Sequence, residues 1–197
     1  LELRGAGNLL GADQSGFASQ VGLDAYLRLL EKTVHRLQQG EDLDEHPDPE
    51  ISLAGSVYLP EGYVEDSGQK LHLYRRLSKV GSRAEVEALR REMADRFGPL
   101  PDEAGRLLDA AVLRVLGRSV GVERILVRDR SARLNFRAGV VPRVAALDAP
   151  LGKRQVGVEV VRMDPLSLVF NQVGALPLAE TLVIALEALR SAANAVA

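Results

Sequence analysis

The sequence lacks several residue types that particular functions require. It has no cysteine and no tryptophan, and aromatic residues make up only 4% of its 197 residues. Without cysteine, a disulfide scaffold, a thiolate zinc site and a cysteine nucleophile are all excluded. The scarcity of aromatic rings argues against a platform on which nucleic-acid bases stack.

The sequence also lacks the signs of a metal site or a membrane protein. The three histidines, His35, His46 and His72, are far apart and show no ligand spacing. No apolar run approaches the roughly 18 residues of a membrane span. No signal-peptide pattern opens the chain, so we expect a cytoplasmic protein with no membrane partner. The net charge of −2 argues against bulk nucleic-acid binding by the whole chain.

Common catalytic and phosphate-binding motifs are missing from the sequence as well. There is no G-x-x-x-x-G-K-[ST] loop and no G-x-S-x-G elbow. Gly5, Gly7 and Gly11 depart from the spacing of a dinucleotide-binding fingerprint, and no strand precedes them. We therefore predict that this chain has no catalytic residue, no metal ligand, no cofactor and no enzymatic activity of its own.

Hydrophobic periodicity predicts an α+β fold, in which helices flank a small mixed or antiparallel sheet and an N-terminal helical extension precedes it. The acidic segment EDLDEHPDPE, at 41–50, contains two prolines and is the best linker candidate. We place the domain boundary there, between 1–46 and 47–197. Because the chain begins inside patterned sequence, we expect it to be part of a longer protein.

Beyond the linker, a strand pattern is followed by three helical patterns, and after residue 120 the hydrophobic period changes to two. The predicted elements are a strand at 50–58, helices at 67–79, 83–97 and 101–120, a hairpin of 124–128 and 133–137, strands at 155–161 and 166–170, and a helix at 177–194. The helix at 101–120 has a broad apolar stripe, so we expect it to be central. In the hairpin, Leu134 and Phe136 should face away from Arg133 and Arg137.

The helix at 83–97 carries its charges unevenly. At 100° per residue, Glu92, Asp95 and Arg96 fall on one flank of its apolar stripe. One interpretation is pairing within the helix, through Glu92–Arg96 and Arg91–Asp95, each worth a few tenths of a kcal/mol. The other is a docking surface for an arginine-rich partner, which an acidic pair beside an arginine would bind through charge-assisted contacts.

A second charged feature is a set of arginines from Arg118 to Arg143. In a hairpin they could form a face that follows nucleic-acid phosphates, although such charge runs are often only solvated surface. A third hypothesis is a hydrolase whose site follows no known motif.

Several segments together resemble the bacterial transcription-repair coupling factors. These are RGAGNLLG at 4–11, QSG at 14–16, VGLDAYL at 21–27, LYRRL at 73–77 and DRFGPLP at 95–101. The resemblance covers nearly the whole chain and is strongest up to about residue 120. RGAG and QSG alone also resemble the RecG branch-migration helicase, whereas DRFG-x-LP does not.

The resemblance implies a parent protein that is an ATP-driven translocase on double-stranded DNA. Such a parent displaces stalled RNA polymerase and recruits UvrA for excision repair, and ATP and Mg²⁺ would act outside this chain. Residues 1–46 would be the tail of the second motor lobe, and Arg4 and Gln14 would be the functional residues of its RecG-like translocation motif.

The resemblance also implies a role for residues 47–197. They would be a C-terminal regulatory domain that acts as an autoinhibitory latch on the UvrB-like N-terminal module and hides the surface recognised by UvrA. Its contact residues would be Glu92, Asp95 and Arg96, on the flank that helical geometry also selects. A DNA-contacting module that uses Arg118–Arg143 stays open as the alternative.

Overall fold

The computed structural model describes residues 46–152, 156–172 and 177–194. All of them belong to one compact unit, Asp44–Ala197. Arg4, Gln14 and the predicted N-terminal helical extension lie outside the described residues. The domain boundary at 46/47 and the roles of the two motif residues therefore stay predictions.

The described elements are a mixture of helices and strands that does not follow a regular βαβ repeat. They are β1 (Glu50–Ser52), α1 (Ser67–Lys79), α2 (Arg83–Phe97), α3 (Asp102–Ser119), β2 (Val122–Val127), β3 (Ser131–Phe136), α4 (Asp148–Gly152), β4 (Val156–Met163), β5 (Leu166–Gln172) and α5 (Leu178–Asn194). This arrangement confirms the predicted α+β fold.

The strands form one mixed sheet in the order β1-β2-β3-β5-β4. Only the short β1–β2 pair is parallel among the described strands, and the other neighbours are antiparallel. Alternation gives β3 one buried face, with Leu134 and Phe136, and one open face, with Arg133. The predicted division of the hairpin residues is therefore confirmed.

Helix α3 is central, as its apolar stripe predicts. It contacts β1, β2, α2 and α5, and α5 contacts β3. Leu108 and Leu116 of α3 and Leu182 and Leu186 of α5 are fully buried. The core therefore lies between the buried face of the sheet and this helix pair, and α1 and α2, which also contact α3, add buried residues such as Leu73 and Val86 to it.

Local capping explains why the bounds of α1 and α2 agree with the sequence prediction. The Asp66 carboxylate accepts the Gln69 N–H at the start of α1, and the Ser82 hydroxyl accepts the Glu85 N–H at the start of α2. Helix α2 ends at Phe97 and is followed by Gly98, whose φ of +86° suits glycine.

The predicted strand at 50–58 is wrong beyond Ser52. The chain turns at Gly55, where φ is +85°, and the backbone groups that follow bind side chains instead of a strand. The Ser56 carbonyl accepts from the Arg106 Nε at 2.8 Å, and the Leu59 N–H donates to the Tyr74 hydroxyl at 2.8 Å. The sequence analysis also did not predict the short helical segment at 144–152.

Candidate interdomain docking site

The charged face consists of Arg76 on α1 and of Glu92, Asp95 and Arg96 on α2. A short turn joins the two helices, and they run antiparallel. Arg76, near the end of α1, therefore meets Glu92, whereas Gln69, near the start of α1, meets Arg96. Side chains far apart in sequence thus form one surface.

Glu92 accepts three hydrogen bonds from two guanidinium groups. Arg76 approaches it as a fork, with Nη1–Oε1 and Nη2–Oε2 distances of 2.7 and 2.6 Å, and Arg96 Nη1 lies 3.1 Å from Oε1. The two hydrogen bonds from Arg76, and then the one from Arg96, lower the pKa of Glu92 to about 2. Glu92 is therefore ionised at neutral pH and engaged within the domain.

Arg96 is held in place and yet remains accessible. Its Nη2 donates to the Gln69 side-chain oxygen at 3.2 Å, and its guanidinium carbon lies 5.0 Å from the centroid of the Phe97 ring. The Arg96 side chain is 48% exposed. Its orientation is thus set before any partner arrives.

Asp95 is the accessible anion of the charged face. Of the two predicted pairs within the helix, Glu92–Arg96 is confirmed, but Arg91–Asp95 does not form among the described residues. Arg91 instead donates from its Nε to the Glu87 carbonyl. Asp95 is exposed, and no other described side chain hydrogen-bonds or ion-pairs with its carboxylate.

Other contacts fix the helix beneath the charged face. The Tyr63 hydroxyl lies 3.0 Å from the Met93 carbonyl and 3.1 Å from the Gly98 carbonyl, and its ring meets Phe97 edge-on. Burial raises the pKa of Tyr63. Arg90 joins α2 to Asp109 of α3 at 2.7 Å. The charged face is therefore mounted on an anchored helix.

The sequence analysis selected three residues of the charged face but missed Arg76. Periodicity within α2 places Glu92, Asp95 and Arg96 on one flank, and no such rule connects them to α1. The sequence offered one signal, which is that Arg76 lies next to the apolar positions Leu73, Tyr74 and Leu77 of α1. The structure buries these three residues and leaves Arg76 half-buried at their edge. A short turn between the two helices also favours an antiparallel pair.

The charged face consists of ionic, hydrogen-bonding groups. It presents two oriented guanidinium groups and one carboxylate that is open to a partner. In the described part of the chain, no group of three or more histidine, aspartate or glutamate side chains could hold a metal ion. Within that part, no helix is long and apolar enough to cross a membrane.

The arginines of the Arg118–Arg143 segment do not form one continuous patch. Arg118 lies 3.5 Å from Asp48 and Arg124 lies 2.9 Å from Glu50. Arg133 is exposed on the open face of the sheet, and Arg143 precedes the helical segment at 144–152.

Comparison with known proteins gives one consistent family. The family model described as the TRCF domain matches residues 53–145. Transcription-repair-coupling factors from Rickettsia conorii, Myxococcus xanthus and Bacillus subtilis are 37%, 40% and 37% identical to this chain over 137, 134 and 136 residues. These matches cover 69%, 64% and 69% of this chain but only 12%, 11% and 12% of the relatives.

A solved structure shows the same fold. A crystal structure of the C-terminal domain of transcription-repair coupling factor matches 78% of this chain and 99% of its own chain, with a TM-score of 0.67 and 24% sequence identity. The chain thus corresponds to a small part of its curated relatives and to nearly all of that domain.

Proposed function

Because this chain belongs to the family of transcription-repair coupling factors, we propose that residues 47–197 are a C-terminal regulatory domain of such a protein. The parent would be an ATP-dependent translocase on double-stranded DNA that displaces stalled RNA polymerase and recruits UvrA. ATP and Mg²⁺ would bind elsewhere in the parent, since this sequence has no phosphate-binding loop. Residues 1–46, with Arg4 and Gln14, would belong to its second motor lobe.

The domain would act as an autoinhibitory latch that docks through the charged face on the UvrB-like N-terminal module of the same protein. The observation that carries this proposal is the exposed Asp95 carboxylate beside the oriented guanidinium of Arg96. A partner with an arginine opposite Asp95 and a carboxylate opposite Arg96 would match both. Because Arg96 is already ordered, less side-chain entropy is lost on docking.

Glu92 would act differently from the other two predicted contact residues. Its two oxygens already accept three hydrogen bonds from Arg76 and Arg96. We therefore assign Glu92 the role of positioning these two arginines, whereas Asp95 and Arg96 would contact the module directly. Arg76 joins the proposed site because it completes this arrangement.

The free energy of such a charged contact is similar in size to the free energy needed to open or close a two-state latch. Breaking a desolvated, hydrogen-bonded charge pair at an interface costs on the order of 2–5 kcal/mol. A change of about 5.5 kcal/mol carries a two-state equilibrium from almost fully closed to almost fully open. Engagement of the parent with polymerase and DNA would supply the opposing free energy that opens the latch and uncovers the UvrA surface.

Calorimetric titration of the UvrB-like module with this chain tests the proposal. Asp95→Lys should weaken the association by at least about 30-fold, equivalent to about 2 kcal/mol, because it places a cation opposite the partner arginine. Asp129→Lys makes the same charge change on the exposed β2–β3 turn and should leave the affinity unchanged. Equal affinities for wild type and Asp95→Lys would exclude the charged face as the docking site.

The alternative, a DNA-contacting module that uses the whole Arg118–Arg143 segment, has less support. Arg118 is paired with Asp48, and the arginines of this segment are spread over more than one surface.

A further inference from the structure

We propose that a smaller set of arginines, on the open face of the sheet, binds the phosphate backbone of duplex DNA. This arginine stripe has four members. Arg124 lies within β2 and Arg128 directly follows it, and Arg133 lies within β3 and Arg137 directly follows it. The site is separate from the charged face and does not depend on the proposed latch.

The register of the β2–β3 hairpin arranges the stripe as a zigzag. Arg124 lies opposite Asn135 and is therefore diagonal to Arg133, whereas Arg137 follows β3 beyond the register irregularity between Val122 and Arg124. Leu126 lies opposite Arg133, so Arg128 is diagonal to Arg133. Diagonal neighbours in an antiparallel pair are about 7–8 Å apart. At about 3.4 Å per residue the four positions extend over roughly 20 Å of the hairpin.

Three of the four charges have no neutralising carboxylate in the described part of the domain. Among the described residues, Arg128, Arg133 and Arg137 have no carboxylate within ion-pair distance. Arg128 donates to the Ser52 hydroxyl at 3.4 Å, and Arg137, which is half-buried, donates to the Pro47 carbonyl at 3.1 Å. Like charges on neighbouring strand positions repel each other, and a bound polyanion would relieve that repulsion.

The fourth arginine can exchange its partner. Arg124 pairs with Glu50 at 2.9 Å, and the two side chains are 50% and 44% exposed. Exposed pairs of this kind contribute at most about 1 kcal/mol. A phosphate group could therefore replace Glu50 at little cost.

The surroundings of the stripe favour a duplex backbone over other anions. Its neighbours in the sheet are Leu126, Asn135, the buried Ser167 and Val169, with Glu159 beside Val169, so the described part of this side of the sheet offers no aromatic ring on which an unpaired base could stack. The depression between Arg128 and Arg133 measures about 190 Å³ and is widely open, so it does not enclose a small ligand. A linear row of cations matches successive phosphates along one strand.

Fluorescence anisotropy with a labelled duplex of about 30 base pairs, titrated with this chain between about 50 and 200 mM salt, tests the proposal. Three or four phosphate contacts predict that log K falls against log[salt] with a slope of about −2.7 to −3.6. Arg133→Gln and Arg128→Gln should each weaken binding and make the slope shallower by about 1. Arg91→Gln removes the same charge from exposed helix α2 and should change neither.

Three results would overturn the proposal. The first is no binding of the duplex at the lowest salt. The second is an equal effect of Arg133→Gln and Arg91→Gln on the slope. The third is binding of a glutamate-rich peptide without binding of the duplex, which would identify an acidic protein segment as the ligand. Asp95→Lys should retain duplex binding, so failure of the latch and failure of this site are distinguishable.

Discussion

Arg76 and Glu92 meet as a two-pronged ion pair between helices α1 and α2, with nitrogen–oxygen distances of 2.7 and 2.6 Å. The same carboxylate also receives Arg96. One glutamate thereby connects two helices and orients an exposed arginine. Its effect on stability should be small, because the pair is partly exposed, whereas its effect on the geometry of the charged face should be large.

The Arg76–Glu92 pair should make stability depend on pH in acid. The pKa of Glu92 falls from 4.5 to about 2 on folding, so its contribution is fully present above pH 4.5 and is lost as the pH falls through 2. Arg76→Gln should reduce the free energy of unfolding by at most about 1 kcal/mol at pH 7, since both side chains are about one-third exposed or more. Most of that difference should disappear at about pH 2.5.

Urea denaturation at the two pH values measures this effect. Asp95→Asn is the control, because no described partner binds Asp95, and it should change the free energy of unfolding by less than about 0.5 kcal/mol. A difference between wild type and Arg76→Gln that is the same at both pH values would contradict the assignment.

Arg114 should be one of the most important polar side chains for stability. It is only 14% exposed, and it donates to the Leu77 and Ser78 carbonyls at the end of α1 and to the Asp48 carboxylate at 3.0 Å. Arg114→Ala would leave the carbonyls without this donor and would remove one of the two cations beside Asp48. We expect a loss of about 3–5 kcal/mol in the free energy of unfolding, measured in urea.

Arg75→Ala is the matched control for Arg114→Ala. Arg75 is exposed on α1, and its loss should cost less than about 0.5 kcal/mol. Similar losses for both variants would show that the buried contacts of Arg114 do not hold α1 in place.

Two glycine substitutions should have opposite effects. Gly121 has a φ of +73°, and a Cβ atom there would lie 2.9 Å from a Val140 methyl group, so Gly121→Ala should lower the free energy of unfolding by about 1–3 kcal/mol. Gly105 lies within α3 with nothing within 4 Å of an added Cβ. Gly105→Ala should therefore raise the free energy of unfolding by about 0.5–1 kcal/mol. Thermal unfolding of both variants measures the two signs, and a common sign would contradict this account.

Sequence periodicity predicts the local elements well and the tertiary contacts poorly. The bounds of α1 and α2 follow from Asp66, Ser82 and Gly98, which are local capping signals. The strand predicted at 50–58 is wrong beyond Ser52, because Tyr74 and Arg106, both distant in sequence, take up the backbone groups of that segment.

The same limit applies to the charged face. The positions of Glu92, Asp95 and Arg96 on one flank follow from 100° per residue within a single helix. That Arg76 engages Glu92 while Asp95 stays open depends on how α1 packs beside α2, which no local pattern specifies. The different surroundings of the two acidic residues are therefore visible only in the structure.

The most direct test of the latch is the capture of UvrA by the complete parent protein. Wild type and a parent carrying the Asp129→Lys change should both capture little UvrA without polymerase and DNA, because the proposed latch would be closed. The Asp95→Lys change should raise the captured amount at least about tenfold, equivalent to about 1.4 kcal/mol of latch opening. Equal capture by Asp95→Lys and wild type would contradict the account.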